Sequence, residues 1–234
     1  MLLTLGQVIF TVLMYGVAVV VLGAAIFPGA ALWYRAWLAT AMWDTAPRLL
    51  ALSCAAVAGY FVFGISLIVL VGLCRVVFRL NLRAGEYLMF SLGTIKWEIA
   101  NALHLLVAAT FIEFILLTPF SSLLFRLLGA KLGRNVQINS SFCADLSLLE
   151  IGDFSVIGGH STVICHSFEH GKLILRPVKI GRKVVIGLNS VILPGVEIGD
   201  GATIAAGAIV PKQTVIAPGS VYYGPRSSGE RSSP

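Results

Sequence analysis

An aliphatic residue recurs at every sixth position near the C-terminal end of the chain. The series runs without a break through Ile180, Ile186, Ile192, Ile198, Ile204, Val210 and Ile216. A second small or β-branched residue follows four places after each of them, from Val184 to Ser220. A period of six differs from the two-residue alternation of a β-sandwich and indicates a β-helix, in which about 18 residues complete one triangular coil. Each aliphatic side chain then fills the interior and stacks on its counterpart one coil away.

The repeat extends upstream and is interrupted once. The same period appears at Ile151, Ile157 and Val163, so we assign residues 131–226 to the β-helix. Between residues 164 and 179 the period fails, and this insertion contains the segment CHSFEHG. Because a loop that leaves a rigid scaffold often carries the chemistry of a protein, we expect the functional site at this insertion.

The part of the chain before the repeat has the composition of a membrane protein. Of all residues 57% are hydrophobic and only 12% are charged, and two long stretches, 8–27 and 49–74, contain no charge. Since about 20 helical residues cross the hydrocarbon core of a bilayer, both stretches are predicted transmembrane helices. A cleaved signal peptide is the alternative for the first, but the basic residues that precede such a peptide are missing. We therefore assign residues 1–130 to a membrane region.

A third apolar stretch, residues 99–125, is less uniform. It contains Asn101, His104, Glu113 and Pro119. A helix that is half buried against the others accommodates such polar residues. We expect this segment either to cross the membrane fully or to be re-entrant.

Basic residues follow the second stretch at four-residue spacing. Arg75, Arg79 and Arg83 lie among aliphatic residues, which predicts a helix that rests on an anionic membrane surface. The connection after the second span also carries more basic residues than the connection after the first, so the positive-inside rule places it in the cytoplasm. A full third crossing would then put the β-helix on the opposite side.

Charge and cysteine content argue against two classes of ligand. The formal net charge of +6 is divided evenly between the two halves of the chain, so no basic patch indicates nucleic acid. The cysteines have neither CxxC nor zinc spacing, and we expect reduced thiols with no metal site and no disulfide framework. They are Cys54, Cys74, Cys143 and Cys165.

Residues 131–226 resemble a known family of enzymes. The resemblance rests on the repeat, on a histidine-containing loop inserted before IGRKVVIG, and on the run ILPGVEIGDGATIAAGAIVPK followed by APGSVYYGP. These features are similar to the left-handed β-helix hexapeptide-repeat acyltransferases, and most of all to their sugar O-acetyltransferase and serine acetyltransferase branch. The resemblance implies an all-β left-handed parallel β-helix that follows the α-helical membrane segments.

A second resemblance spans more of the chain. The apolar helices, then LGAKLGRNVQI, ADLSLLEIGD and CHSFEHGKL, look like the C-terminal membrane region of poly-lysine-type peptide synthetases. In those proteins such modules form amide bonds.

The family resemblance implies a set of catalytic residues. Acyl transfer from a thioester needs a base that removes the proton of the acceptor, and imidazole titrates near neutral pH. His166 in ICHSF matches the catalytic histidine, with a surface histidine of no role as the alternative. Asp145 or Glu169 would orient its ring, although Asp145 could instead be a turn-forming residue bonded to its own backbone. Asn139 and His170 would contact the acceptor.

The resemblance also implies the donor and the assembly. Acetyl-CoA or another acyl-CoA would lie in the groove between adjacent β-helices of a homotrimer. Its contacts would be Leu188, Ala206, Pro211 and Lys212, with Lys212 as the cation near the phosphates. No metal ion is expected.

The combined prediction is a multi-pass enzyme of the cell membrane with its β-helix facing the cytoplasm, where coenzyme A is found. It would acetylate a hydroxyl or amine of a lipid-linked sugar, a glycan or a peptide near the membrane lipids. An amide-bond-forming module that uses a carrier-protein thioester and a non-catalytic trimeric scaffold are the alternatives. The polar tail, residues 227–234, is predicted to be disordered.

Overall fold

The computed structural model of the chain describes residues 2–224, with side chains from residue 6 onward. Two compact units are present: Met1–Arg79 with Ala102–Phe111, and Leu80–Asn101 with Ile112–Pro234. The predicted disordered tail lies outside the described residues.

The first unit contains two long apolar helices, α1 (Leu2–Ala39) and α2 (Thr45–Val77). A Cβ atom on Gly29 would collide with the carbonyl group of Gly59, so the two helices can approach closely there only because both residues are glycines. Segments Gly6–Ala39 and Thr45–Val77, with mean hydropathies of 2.5 and 2.4, are long and apolar enough to cross a membrane. The predicted spans lie inside them.

The third apolar stretch is broken into several pieces. Helix α3 (Leu92–Thr110) is followed by a 3₁₀ turn (Ile112–Phe114) and by α4 (Pro119–Leu127). Leu117, with φ at 59°, and the proline that begins α4 interrupt the path. Proline lacks the backbone N–H that a continuing helix would need. Residues 99–125 therefore do not form one continuous helix.

The predicted surface helix through Arg75, Arg79 and Arg83 is wrong. Helix α2 ends at Val77, and Arg79 adopts a φ of 49°, which no α-helix contains. Beyond it, Leu80 and Leu82 are both buried, so the buried side chains alternate as in an extended chain. The backbone N–H of Leu82 donates to the Ser147 hydroxyl at 3.2 Å.

Sixteen strands are described. In chain order they are β1 (Gly85–Leu88), β2 (Lys131–Leu132), β3 (Gln137–Ile138), β4 (Leu149–Ile151), β5 (Val156–Ile157), β6 (Thr162–Val163), β7 (His166–Glu169), β8 (Lys172–Leu175), β9 (Val178–Ile180), β10 (Val185–Ile186), β11 (Val191–Ile192), β12 (Glu197–Ile198), β13 (Thr203–Ile204), β14 (Ile209–Val210), β15 (Val215–Ile216) and β16 (Val221–Tyr222). All but β1, β7 and β8 belong to three parallel sheets, ordered β16-β13-β10-β5-β3, β14-β11-β6 and β15-β12-β9-β4-β2.

The register of these sheets confirms the sequence period. Ile186 pairs with Ile204 and Ile204 with Tyr222, so successive partners are 18 residues apart. Every aliphatic residue of the unbroken series is buried, from Ile180 to Ile216. The second unit therefore contains the predicted β-helix, whose core is the interior of the coils.

The insertion takes the form of a hairpin rather than an irregular loop. Ile157 pairs with Ile186, 29 residues later, because strands β7 and β8 are inserted between these coils. They pair antiparallel to each other, and β1 adds to β8. The turn residues His170 and Gly171 have φ values of 48° and 74°, as in a two-residue type I′ turn. The hairpin buries Leu173 and Leu175, which explains why it is ordered.

Candidate active site

Asp145 occupies an irregular corner of the β-helix. It precedes a 3₁₀ turn (Leu146–Leu148) and adopts the left-handed conformation, with φ 55° and ψ 42°. Its side chain has 0% exposure to solvent and makes no capping hydrogen bond to the turn that follows. The alternative of a carboxylate bonded to its own backbone is therefore not what the structure shows.

Four hydrogen-bonding groups converge on this carboxyl group. Oδ1 accepts from the indole N–H of Trp97 at 2.6 Å and from the amide of Asn101 at 3.2 Å. Oδ2 accepts from the backbone N–H of Cys165 at 3.0 Å and lies 2.6 Å from Nδ1 of His166. Such a set of donors favours the ionised form of a buried carboxyl group.

This arrangement assigns the tautomer of His166. The indole of Trp97 and the backbone of Cys165 can only donate, and the Asn101 amide nitrogen is held as a donor because it also bonds the carbonyl of Trp97 at 3.0 Å. Three donors already bonded to the carboxyl group favour its ionised form, so we assign the ring hydrogen to Nδ1 of His166. The lone pair of the neutral ring is therefore on Nε2.

His166 lies at the start of β7 and is partly open to solvent, with 22% of its side chain exposed. The Trp97 ring meets it edge-on at 4.9 Å between centroids, and the Phe168 ring lies 6.0 Å away. Trp97 and Phe168 contact each other at 5.4 Å. His166 is thus part of an aromatic cluster and keeps part of its side chain open to solvent.

Glu169, the other predicted orienting residue, points to a different partner. Its carboxylate accepts from Lys212 Nζ at 2.5 Å and from the Ser167 hydroxyl at 2.8 Å. The hydrogen bonds from Lys212 and then Ser167 hold the pKa of Glu169 below its usual range. Glu169 therefore links the hairpin to the coil that carries Lys212.

The predicted donor contacts fall at two corners of the β-helix. Leu188 and Ala206 lie on successive coils in the connections after β10 and β13, whereas Pro211 and Lys212 follow β14. All four are exposed. The sheet β14-β11-β6 separates the two corners, so a ligand that touched all of these residues would lie along this face.

The predicted acceptor contacts are not part of the network on Asp145. The side chains of Asn139 and Leu188 both lie close to Gly159. A Cβ atom added to Gly159 would be 3.4 Å from the Asn139 amide nitrogen and 3.2 Å from a methyl group of Leu188. His170 is exposed in the hairpin turn. The structure brings Asp145 and His166 together, and none of the hydrogen bonds described on that pair comes from Asn139 or His170.

Sequence reasoning missed Trp97 and explained Asn101 only as a polar residue of a half-buried helix. The two are four positions apart on α3, which places them on one helical face. That spacing was the available indication, but nothing in it identifies Asp145 as their acceptor.

Two cysteines lie buried beside the site. Burial raises the pKa of the Cys143 thiol to about 12, and burial together with the charge of Asp145 raises that of Cys165 further. All four cysteines of the chain are free. Neither buried thiol has the ionised character that a sulfur nucleophile requires.

Comparison with known proteins finds relatives of the β-helix. A family model described as the hexapeptide repeat of succinyl-transferase matches residues 177–212. The protein YvoF of Bacillus subtilis (strain 168) is an acetyltransferase by its assigned name. It is 35% identical over 102 residues, which cover 41% of this chain and 59% of that protein. The galactoside O-acetyltransferase of Escherichia coli (strain K12) is 35% identical over 94 residues, 34% of this chain and 46% of that protein. The chain thus spans about half the length of these relatives.

A more distant relative is a much longer protein. The delta-poly-L-ornithine synthetase of Acinetobacter baumannii (strain AB307-0294) is 25% identical over 114 residues, which cover 49% of this chain but only 9% of that protein. Among solved structures, a maltose O-acetyltransferase from Clostridium difficile 630 aligns with a TM-score of 0.46 and 22% identity, over 60% of this chain and 88% of that chain.

Proposed function

We propose that the chain is a membrane-bound acetyltransferase that uses acetyl-CoA as its donor, because its β-helix resembles the hexapeptide-repeat acetyltransferases. The family match also supports a left-handed coil. The observation that carries the proposal is the 2.6 Å distance between Nδ1 of His166, on the inserted hairpin, and Oδ2 of Asp145, at a corner of the β-helix. The acceptor is a hydroxyl or amine of a membrane-near molecule, such as a lipid-linked sugar, a glycan or a peptide.

The geometry assigns a role to each atom of this pair. Nε2 of His166 takes the proton as the acceptor oxygen or nitrogen attacks the thioester carbon, and when the C–S bond breaks the ring gives that proton to the departing thiolate of coenzyme A. Asp145 holds the tautomer and stabilises the imidazolium form between the two steps. The exposed corners with Leu188, Ala206, Pro211 and Lys212 bind the donor, mainly through backbone groups, as neighbouring β-helices of a trimer would allow.

Membrane attachment rests on α1 and α2, which have the length and composition of spanning helices. The β-helix faces the cytoplasm in this proposal, because acetyl-CoA is a cytoplasmic metabolite. Residues 99–125 then do not cross, in keeping with their broken helical path.

The test replaces two histidines by asparagine, His166 as the proposed base and His160 as a histidine outside the site. In the full chain, in detergent or nanodiscs with acetyl-CoA, His166→Asn is expected to lower kcat by about 100-fold or more, the range of general base catalysis. His160→Asn is the matched control, because His160 is exposed on a coil turn with φ at 53°, which Asn tolerates. Transfer by the His166 variant at the rate of the unsubstituted chain contradicts the mechanism.

The match to the poly-ornithine synthetase favours one second candidate, an amide-bond-forming module that takes its acyl group from a carrier-protein thioester. Isothermal titration with coenzyme A separates the two. Binding of coenzyme A supports the acetyltransferase, whereas no binding together with turnover of an acyl-carrier thioester supports the second candidate.

A further inference from the structure

The first turns of helix α3 belong to the same compact unit as the β-helix. The helix starts beside Ser91, whose hydroxyl accepts from the backbone N–H of Thr94 at 3.3 Å. Trp97 and Asn101 lie on one face of α3 and both donate to Oδ1 of Asp145. An element outside the six-residue repeat thus completes the hydrogen bonding of a residue inside it.

Oδ1 depends on α3 because the other oxygen is already used. Cys165 and His166 occupy Oδ2, and within the described part of the chain Trp97 and Asn101 donate to Oδ1. The carboxylate has no access to water, with a side-chain exposure of 0%. A buried carboxylate that loses its donors takes up a proton, because the charged form is penalised by burial.

That proton would reverse the role of the histidine. A protonated Asp145 would donate its O–H to Nδ1 of His166, so that the ring hydrogen would move to Nε2. The nitrogen that faces the substrate would then be a donor and could not accept the proton of the acceptor.

We propose that Trp97 and Asn101 are positioning residues that keep Asp145 ionised and thereby keep Nε2 of His166 available as the base. This inference rests on the proposed acyl transfer for its catalytic consequence. Its structural content, the protonation state of two side chains, is independent of the acceptor.

Trp97 also packs against His166 and Phe168, so its donor role must be separated from its packing role. Trp97→Phe keeps an aromatic ring at this position but removes the N–H together with the five-membered ring of the indole. Asn101→Leu keeps the approximate size of the side chain and removes the amide. Trp43→Phe is the matched control, because Trp43 is an exposed residue of the other compact unit.

The experiment follows the reaction of diethyl pyrocarbonate with the full chain in nanodiscs, since within an imidazole ring this reagent reacts at a nitrogen with a free lone pair. Mass spectrometry of the His166 peptide between pH 5 and 9 gives the rate for that residue alone. Trp97→Phe and Asn101→Leu are each expected to slow the plateau rate by about 10-fold, as one lost hydrogen bond to a charged group would. Trp43→Phe leaves it unchanged.

Kinetics with acetyl-CoA gives the second measurement. The two variants are expected to lower kcat by about 10- to 100-fold while KM for acetyl-CoA stays within about twofold, because the lost hydrogen bonds act on the base and not on the donor site.

The outcomes separate the two proposals. If Trp97→Phe and Asn101→Leu react like the unsubstituted chain, α3 supplies packing only and the inference fails. If the modification rates fall but the unsubstituted chain transfers no acetyl group, the positioning role stands and the proposed function fails. Thermal unfolding identifies a variant that does not fold, in which case the other variant decides.

Discussion

At the scale of single residues, the site depends on how the charges around His166 and Lys212 are paired. Asp145 is buried and fully hydrogen-bonded, so it acts on its histidine without competition from water. Glu169 and Lys212 are exposed, with 37% and 43% of their side chains in contact with solvent, and their ion pair is correspondingly weak. The buried pair of Asp145 and His166 can hold the imidazole ring in one orientation. The exposed pair of Glu169 and Lys212 can separate so that Lys212 binds another partner.

If Lys212 contacts the phosphates of acetyl-CoA, it must first leave Glu169. The pKa of Glu169 is lowered in the folded chain, so the ion pair is intact at pH 7 and is lost only as the pH falls through that lowered value. Glu169→Gln is expected to lower KM for acetyl-CoA about two- to threefold at pH 7, the size of an exposed ion pair.

Glu197→Gln is the control for this prediction. Glu197 accepts from Lys179 at 2.7 Å in a pair that is also exposed, with 51% and 52% of the Lys179 and Glu197 side chains open to solvent, and that contains no predicted ligand contact. Steady-state kinetics on both variants provides the measurement. An unchanged KM in Glu169→Gln would mean that Lys212 does not contact the donor.

At the scale of elements, the β7–β8 hairpin determines where His166 lies. His166 pairs with Leu175, whose side chain is buried, so the base is anchored across the hairpin to the core. The sequence shows the interruption of the repeat but not its conformation, because the hairpin has neither the period of the coils nor a long alternating stretch. The hairpin conformation depends on its two-residue turn and on pairing with strand β1, which lies far upstream in the chain.

The turn can be tested with a pair of glycine substitutions. Gly171 and Gly219 have φ values of 74° and 67°, and a Cβ on either would meet no atom within 4 Å. Alanine at each position is therefore expected to cost about 1 kcal/mol of backbone strain and nothing through packing.

Only Gly171→Ala is expected to lower kcat, by up to about fivefold, because it loosens the hairpin that carries His166. Thermal unfolding and kcat for both variants provide the comparison. An equal effect of Gly219→Ala on kcat would show that general destabilisation, and not the hairpin, limits the reaction.

At the scale of the whole molecule, the chain combines two apolar helices with a β-helix, two parts that bury hydrophobic residues in different ways. In α1 and α2 many large apolar side chains are exposed, including Val12 at 62% and Val20 at 70%. In the β-helix the aliphatic residues point inward and are buried. Exposure of the first kind is expected where lipid, rather than protein, covers the surface.

The proposed topology predicts which sites an external protease can reach. A tag after Pro234 is expected to be protected in intact cells, whereas a cleavage site inserted between Thr40 and Asp44, in the connection of α1 to α2, is expected to be cut. Immunoblotting against the tag before and after permeabilisation provides the measurement. Cleavage of the C-terminal tag in intact cells would place the β-helix outside and remove acetyl-CoA as the donor.

The sequence by itself determined the β-helix, its register, the place of the insertion and the two long apolar helices. Each of these follows from a local period or from composition, which a chain expresses wherever it folds. The extended path after Arg79 and the donors on Asp145 were decided only by the tertiary structure. Trp97 and Asn101 are 48 and 44 residues away from Asp145, and no local pattern encodes a contact of that separation. Such a contact forms because a buried carboxylate is stable only where folding brings donors to it.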